Sequence, residues 1–482
     1  MSTGYVVAIL GGYFGLLYLV SRISTRRADA ATFFIANRQA PWLLVSYGMI
    51  GVAISGITFI SVPGQVVDTQ FSYMQMVFGY AIGLLIVAFV FLPVFYRVQA
   101  VSIYYFLDQR FGPRSHRTAA ILFLMAQTAT ASFKLFLMAS VLQIALFDPL
   151  GMPFWLTVLV TLLLIWFYTY RGGIKTVILT DALQTTFLLV ALVLSIWAIS
   201  RQLNISPSIM LDSMGEQGIS QVFFWSWDDP NNFYKLVLTG ILLTVMTNGL
   251  DQSVMQKHLT CKDLWSSQKN ISTLACILLL VNFLFLFLGG ALYLFSQQAG
   301  IQLPALTDNI YPTIAIDHLG LAAATFFLVG IAAAAYSSAD SSLTGLTTSF
   351  CIDILDYRVT DDNRTRQRQL IHLMFTLLIF ILIMGFNEIN NQSVLYYFIR
   401  TSGFIYGPLL SLFLFGIYSK RVIRDQYVPV ICILSPLVSF ILDQKSADWL
   451  GGYQFGYDIL LINSLIAFIG FYILSKKLSS LH

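Results

Sequence analysis

Charge is what this sequence has least of: 10% of its residues are Asp, Glu, Lys or Arg, against 57% that are hydrophobic. Soluble domains carry about 25% charged residues, so the chain cannot cover itself with a water-compatible surface. The four cysteines, Cys261, Cys276, Cys351 and Cys432, show no paired spacing, which argues against a disulfide framework or a metal site. Histidine is equally sparse. His116, His258, His318, His372 and His482 fall near the ends of apolar runs, and no HExxH or nucleophile–base constellation is present. A membrane-embedded enzyme is therefore not expected. Period-two alternation with turn residues roughly every ten positions is missing, which argues against a β-barrel. The first apolar run, residues 4–21, has no basic leader and no small-residue cleavage site, so a retained helix is expected there. The net charge of +4 requires no nucleic-acid partner.

What the chain does have is apolar blocks of roughly 20 residues, the length that about 30 Å of hydrocarbon demands of a helix. In lipid a helix satisfies its own backbone groups, so the expected fold is an all-α polytopic membrane bundle. Thirteen spans are expected, near residues 4–21, 42–65, 72–96, 118–146, 154–170, 174–200, 233–256, 271–297, 318–350, 369–386, 394–418, 427–443 and 457–475. All but five of the 27 Lys and Arg fall in alternate connections, from Arg22, Arg26, Arg27 and Arg38, through Lys257, Lys262 and Lys269, to Lys476 and Lys477. The opposite connections hold Arg201, Lys235 and Lys445. Positive charge stays on the cytoplasmic side, which places the N-terminus outside and the C-terminus in the cytoplasm of a bacterial inner membrane. The last two cations, Lys134 and Arg400, fall inside expected spans.

Two spans carry breaks. The second reads GVAISGITFISVPG over residues 51–64, with Ser55-Gly56 in mid-span; the seventh reads TVMTNGLDQ over 244–252, with Asn248-Gly249 followed by Asp251. Interrupted helices at matched positions of two halves point to a transporter binding site, although Gly and Pro are common in membrane helices. The ninth span contains GIAAAAYSSADSSL, residues 330–343, in which Ala334, Ser337, Ser338 and Ser341 share one helix face. Such oxygens suit a loosely held hard cation; small-residue helix packing would use the same face. Asp340 in this run and Asp181 in the sixth span tip the balance, because a carboxylate inside the membrane is expensive and usually functional. Together they suit a cation or proton site. Lys134 and Arg400 both suit a counter-ion to an anionic solute; Lys134 equally suits a partner of a buried acid, and Arg400 a cation that snorkels to the surface.

Five segments in this order carry a resemblance: TFFIANRQAPW (32–42), SIYYFLDQRFG (102–112), GGIKTVILTDALQ (172–184), DQSVMQKHLTCK (251–262) and AAYSSADSSL (334–343). Together they resemble the sodium/solute symporter family, which includes sodium–glucose, sodium–proline and sodium–sialic acid cotransporters. The resemblance implies a LeuT-like core of two inverted five-helix repeats, here residues 42–200 and 233–418, with one extra helix before (4–21) and two after (427–475). It also implies a main sodium site on the backbone oxygens of Gly51, Ile54 and Ala334 and the hydroxyls of Ser337 and Ser338. A second cation site, found in some members, would use Asp181 with Ser337, Asp340 and Ser341. The acid at 340 departs from relatives with Ser or Thr there, leaving a proton as an alternative occupant. Substrate walls are expected from Thr58, Tyr73, Gln75, Gln127, Thr130, Lys134, Thr247, Asn248 and Arg400. Neither substrate signature is intact: Ile399 stands where sugar carriers have Gln, and Thr130 where sialic acid carriers have Arg.

The expected activity is sodium-coupled symport of a small polar solute by alternating access, with an organic acid or acidic sugar favoured over a neutral sugar. The alternative is proton coupling through Asp181 and Asp340. The working unit is expected to be a monomer. No signalling module is expected after the last helix, which disfavours a receptor, and a channel would not need matched breaks.

Overall fold

The computed structural model describes residues 3–24, 39–98, 102–169, 174–357, 365–389, 393–449, 451–453, 455 and 458–477. Arg26, Arg27, Arg38, most of the 32–42 segment, Gly172, Gly173 and His482 lie outside them.

The chain forms helix after helix: α1 Thr3–Ser24, the bent pair α2 Trp42–Ala53 and α3 Gly56–Thr69, α4 Tyr73–Val98, α5 Tyr105–Arg110, α6 Pro113–Leu150, α7 Phe154–Thr169, α8 Ile174–Leu203 and α9 Pro207–Glu216. There follow a second bent pair, α10 Phe233–Gly249 and α11 Gln252–His258, then α12 Leu264–Ala299, α13 Ile310–Asp317, α14 Leu321–Ile354, α15 Thr365–Ile389, α16 Val394–Tyr418, α17 Val428–Trp449 and α18 Ile459–Ile473. Among the described residues, eight helices are long and apolar enough to cross a membrane, or ten when each bent pair counts as one span. The apolar stretches Gly4–Val20, Phe154–Trp166 and Ile459–Ile473 are shorter. Each expected span thus coincides with an apolar helix.

Local chemistry moves some boundaries. Helix α12 starts at Leu264 rather than near 271, because the Asp263 carboxylate accepts from the Ser266 amide at 2.7 Å and starts the helix early. A short antiparallel pair, β1 Arg421–Ile423 with β2 Ser475–Lys477, was not expected, nor were the short helices α5, α9 and α13.

Helix α14 is buried along most of its length and forms the centre of the bundle. Helices α4 and α10 meet backbone to backbone: a Cβ on Gly240 would lie 2.2 Å from the Met76 carbonyl oxygen, and one on Gly79 2.2 Å from that of Val237. Only glycine permits so close an approach. One end of the bundle is clasped by Asp425, which accepts from the Arg114 and Ser115 amides at 3.0 and 2.7 Å and so caps α6. Arg110 donates to the carbonyls of Gly416, Ser419 and Arg421 beside the end of α16.

Candidate functional site

Both sequence breaks are real bends. Helices α2 and α3 meet at 55°, with Ile54 at φ −90°, ψ 74° and Ser55 extended; α10 and α11 meet at 75°. The last turn of α10, Val245–Gly249, widens into π-helical bonding, and Asp251 then caps α11 by accepting from the Ser253 and Val254 amides at 2.8 and 3.3 Å. Such interruptions leave carbonyls without helical partners, which is how a membrane helix offers backbone oxygens to a ligand.

Small residues bring the first break against the acid and the serines. A Cβ on Gly48 would lie 3.1 Å from the Asp181 Cβ, and one on Gly51 2.6 Å from the Thr185 hydroxyl, so α2 sits directly on α8. The Gly51 amide donates to that hydroxyl at 3.0 Å. Gly56, just past the break, faces Ile331 and Ala335 of α14 at 3.5 and 3.8 Å from where its Cβ would be. On α14, Ser338 donates back to the carbonyls of Ala335 and Ala334 at 3.1 and 3.3 Å, while Ser337 donates to Asp181 Oδ1 at 2.7 Å. Ala334, Ser337 and Asp340 are fully buried, and Asp340 accepts from Ser341 at 3.1 Å.

A cavity of about 110 Å³ lies between the two bends. Thr58, Tyr73, Gln127, Thr130, Lys134, Thr247 and Asn248 all line it, together with Ser338 and Ser341. Asp251 and Tyr406 line it too, and their role was not anticipated. The Tyr406 hydroxyl lies 3.5 Å from Asp251 Oδ2. Lys134 reaches toward the face of Phe398, 5.9 Å from its ring centre, and among the described residues it makes no ion pair. A wider cavity of about 420 Å³, lined by Ser140, Gln143, Asp148, Asp308 and Asn309, begins one turn further along α6.

Three expectations need correction. Gln75 is buried outside the cavity, where it donates to the Asn231 carbonyl at 2.9 Å and accepts from the Phe224 amide at 3.2 Å, pinning the segment before α10. Arg400 turns away to pair with Asp443 of α17 and the Tyr396 hydroxyl. Lys257, expected in a cytoplasmic connection, is 2% exposed and donates to Asp181 Oδ2 at 2.5 Å and to Ser341 at 2.6 Å. The 75° bend turns α11 inward and carries Lys257 with it. No local pattern in the sequence marks it; in the structure it stands one turn after Ser253, which packs closely on Gly345.

Comparison with known proteins agrees with this architecture. A sodium/sialic acid symporter of Aliivibrio fischeri is 26% identical over 86% of this chain and 82% of its own length. One from Proteus mirabilis is 25% identical over 92% and 90%. A sodium/glucose cotransporter of Vibrio parahaemolyticus is 24% identical over 86% and 80%. Among solved structures, the substrate-bound outward-open state of a Na+-coupled sialic acid symporter matches with a TM-score of 0.83, at 22% identity, over 99% of this chain and 100% of that one. The nucleobase-cation-symport-1 transporter Mhp1, in a closed conformation, matches at 0.58 over 92% and 94%. The fold class is thus LeuT-like, and the chain is a multi-pass membrane transporter rather than an enzyme. The model of the sodium:solute symporter family matches residues 33–425, and the chain belongs to that family.

Proposed function

We propose that this protein carries an organic acid of the acidic-sugar class, together with sodium, into the cell across a bacterial inner membrane. Lys134 carries the reading: an ammonium that makes no ion pair among the described residues, on the wall of a cavity between two bent helices, suits a carboxylate. Gln127, Thr130, Tyr73 and Asn248 offer donors and acceptors for hydroxyl groups, and Asp251 suits hydroxyl or amine hydrogens at the other end of the solute. The relatives named for sodium/sialic acid symport support the same class. Thr130 stands where the family resemblance implies an arginine in sialic acid carriers, and Lys134, one turn further on, is assigned the carboxylate instead. The cavity is smaller than the roughly 300–1,000 Å³ of ordinary ligand sites, so the surrounding helices must part to admit a sugar acid.

Sodium is assigned to the carbonyls of Gly51, Ile54 and Ala334 with the hydroxyls of Ser337 and Ser338. The break at Ile54, the burial of Ala334 and Ser337 and the position of Ser338 on the cavity wall support this. An ion there joins the first bent helix to α14 and favours the outward-open state; substrate binds at the bends, the bundle rocks inward, and the sodium-poor cytoplasm then empties the site. The division into repeats 42–200 and 233–418, an external N-terminus and a monomeric working unit complete the proposal. Sodium-named relatives disfavour proton coupling.

A thermal-shift screen of the purified protein tests it, with sialic acids, monocarboxylates, sugars and amino acids, each in sodium and in potassium. Stabilisation by an acidic sugar only in sodium is expected. Equal shifts in both salts would overturn the sodium assignment, and a shift with neutral sugars alone would overturn the substrate class.

A further inference from the structure

Lys257 ends α11, the half-helix after the second bend, and its side chain is as buried as that of Asp181, each 2% exposed. Its ammonium lies 2.5 Å from Asp181 Oδ2 and 2.6 Å from the Ser341 hydroxyl. The other oxygen of Asp181 is held by Ser337 at 2.7 Å. Of the four residues expected around a second cation, Asp181 and Ser341 therefore do hold one, but it is bonded to the chain; Ser337 bonds Asp181 and Asp340 bonds Ser341. Its seat is built from three elements: Asp181 from α8, Ser341 from α14, and α11 itself. Ser253, one turn before Lys257, is packed against Gly345 so tightly that a Cβ there would lie 2.5 Å from the Ser253 Cβ, which fixes the half-helix at the distance from which the lysine reaches.

We propose that Lys257 is a tethered substitute for a second sodium ion, so that this transporter binds one sodium per cycle. A sodium ion approaching the same carboxylate would meet a like charge in a poorly screened interior, and both Asp181 oxygens already accept a bond, one from Lys257 and one from Ser337. The ammonium also does the mechanical work of a bound ion, tying the second bent helix to α8 and α14. The proposal rests on the sodium assignment above and adds that the main site is the only one open to sodium among the described residues.

Equilibrium binding of radioactive sodium to the purified full-length protein, without substrate, separates the two readings. One ion per chain is expected in the native protein, two in Lys257→Ala, where the carboxylate is released, and one again in Lys257→Ala/Asp181→Asn. Two ions in the native protein, or one in a folded Lys257→Ala, would overturn the proposal while leaving the main site intact. Should Lys257→Ala fail to fold, Asp181→Asn in the native background decides. An unchanged count of one supports the tethered cation, and a fall from two to one overturns it. No bound sodium in any of these proteins would overturn the main-site reading, and this proposal with it.

Discussion

Among the described residues Ser338 donates only to carbonyls of its own preceding turn, so its hydroxyl can rotate toward an ion without breaking another side chain's bond. Ser338→Ala should raise the half-saturating sodium concentration about tenfold, equivalent to about 1.4 kcal/mol, with stability in potassium unchanged. Flat sodium titrations of the two proteins, lying on top of one another, would remove Ser338 from the site. Lys134→Ala should weaken binding of an acidic solute by about ten- to a hundredfold, the worth of a hydrogen bond to a charged group, and leave sodium binding alone. Calorimetric titration with the compound found in the screen checks this, and undiminished affinity excludes Lys134. Seven of the cavity's polar residues were legible because such side chains are rare in these spans and stand out, whereas the part played by Asp251 and Tyr406 was not. Lys257 and Arg400 were not, since their partners Asp181 and Asp443 lie on other helices and no local pattern encodes such pairings.

The bends were visible in the sequence at Ser55-Gly56 and Asn248-Gly249, yet their direction was not, because it is set by what the half-helices pack against. Asp251 holds the second of them. Asp251→Ala removes a side-chain cap from the Ser253 and Val254 amides and should cost about 0.5–2 kcal/mol in thermal unfolding, together with loss of substrate binding. The contact between α4 and α10 gives a sharper test. Gly240→Val drives a side chain into the Met76 carbonyl and should exceed the about 1–3 kcal/mol of an ordinary overpacked core. Gly385→Ala, with nothing within 4 Å of its new methyl, should be neutral or slightly stabilising. Similar unfolding midpoints for the two would mean that the helices do not touch there.

At the scale of the whole molecule, apolar length was enough to locate the apolar helices of the described residues, because hydrocarbon tolerates so few other solutions. The clasp at one end was invisible. Asp425 meets Arg114 and Ser115 across most of the chain's length, and Arg110 does the same with Gly416 and Ser419. Asp425→Ala should lower stability by about 1–3 kcal/mol without altering the half-saturating sodium concentration. A change in sodium response would show instead that the clasp takes part in the transport cycle. The tethered ammonium has a last consequence, for how far the protein can concentrate its solute. A cation bonded to the chain never dissociates, so one sodium entering with one monoanion moves no net charge. The steepest accumulation then equals the sodium concentration ratio, tenfold for a tenfold ratio. A second free sodium would square that ratio and add about 2.3 kcal/mol per 100 mV of potential. Such a carrier keeps loading when the membrane is depolarised, and it stalls only when the sodium gradient itself is gone.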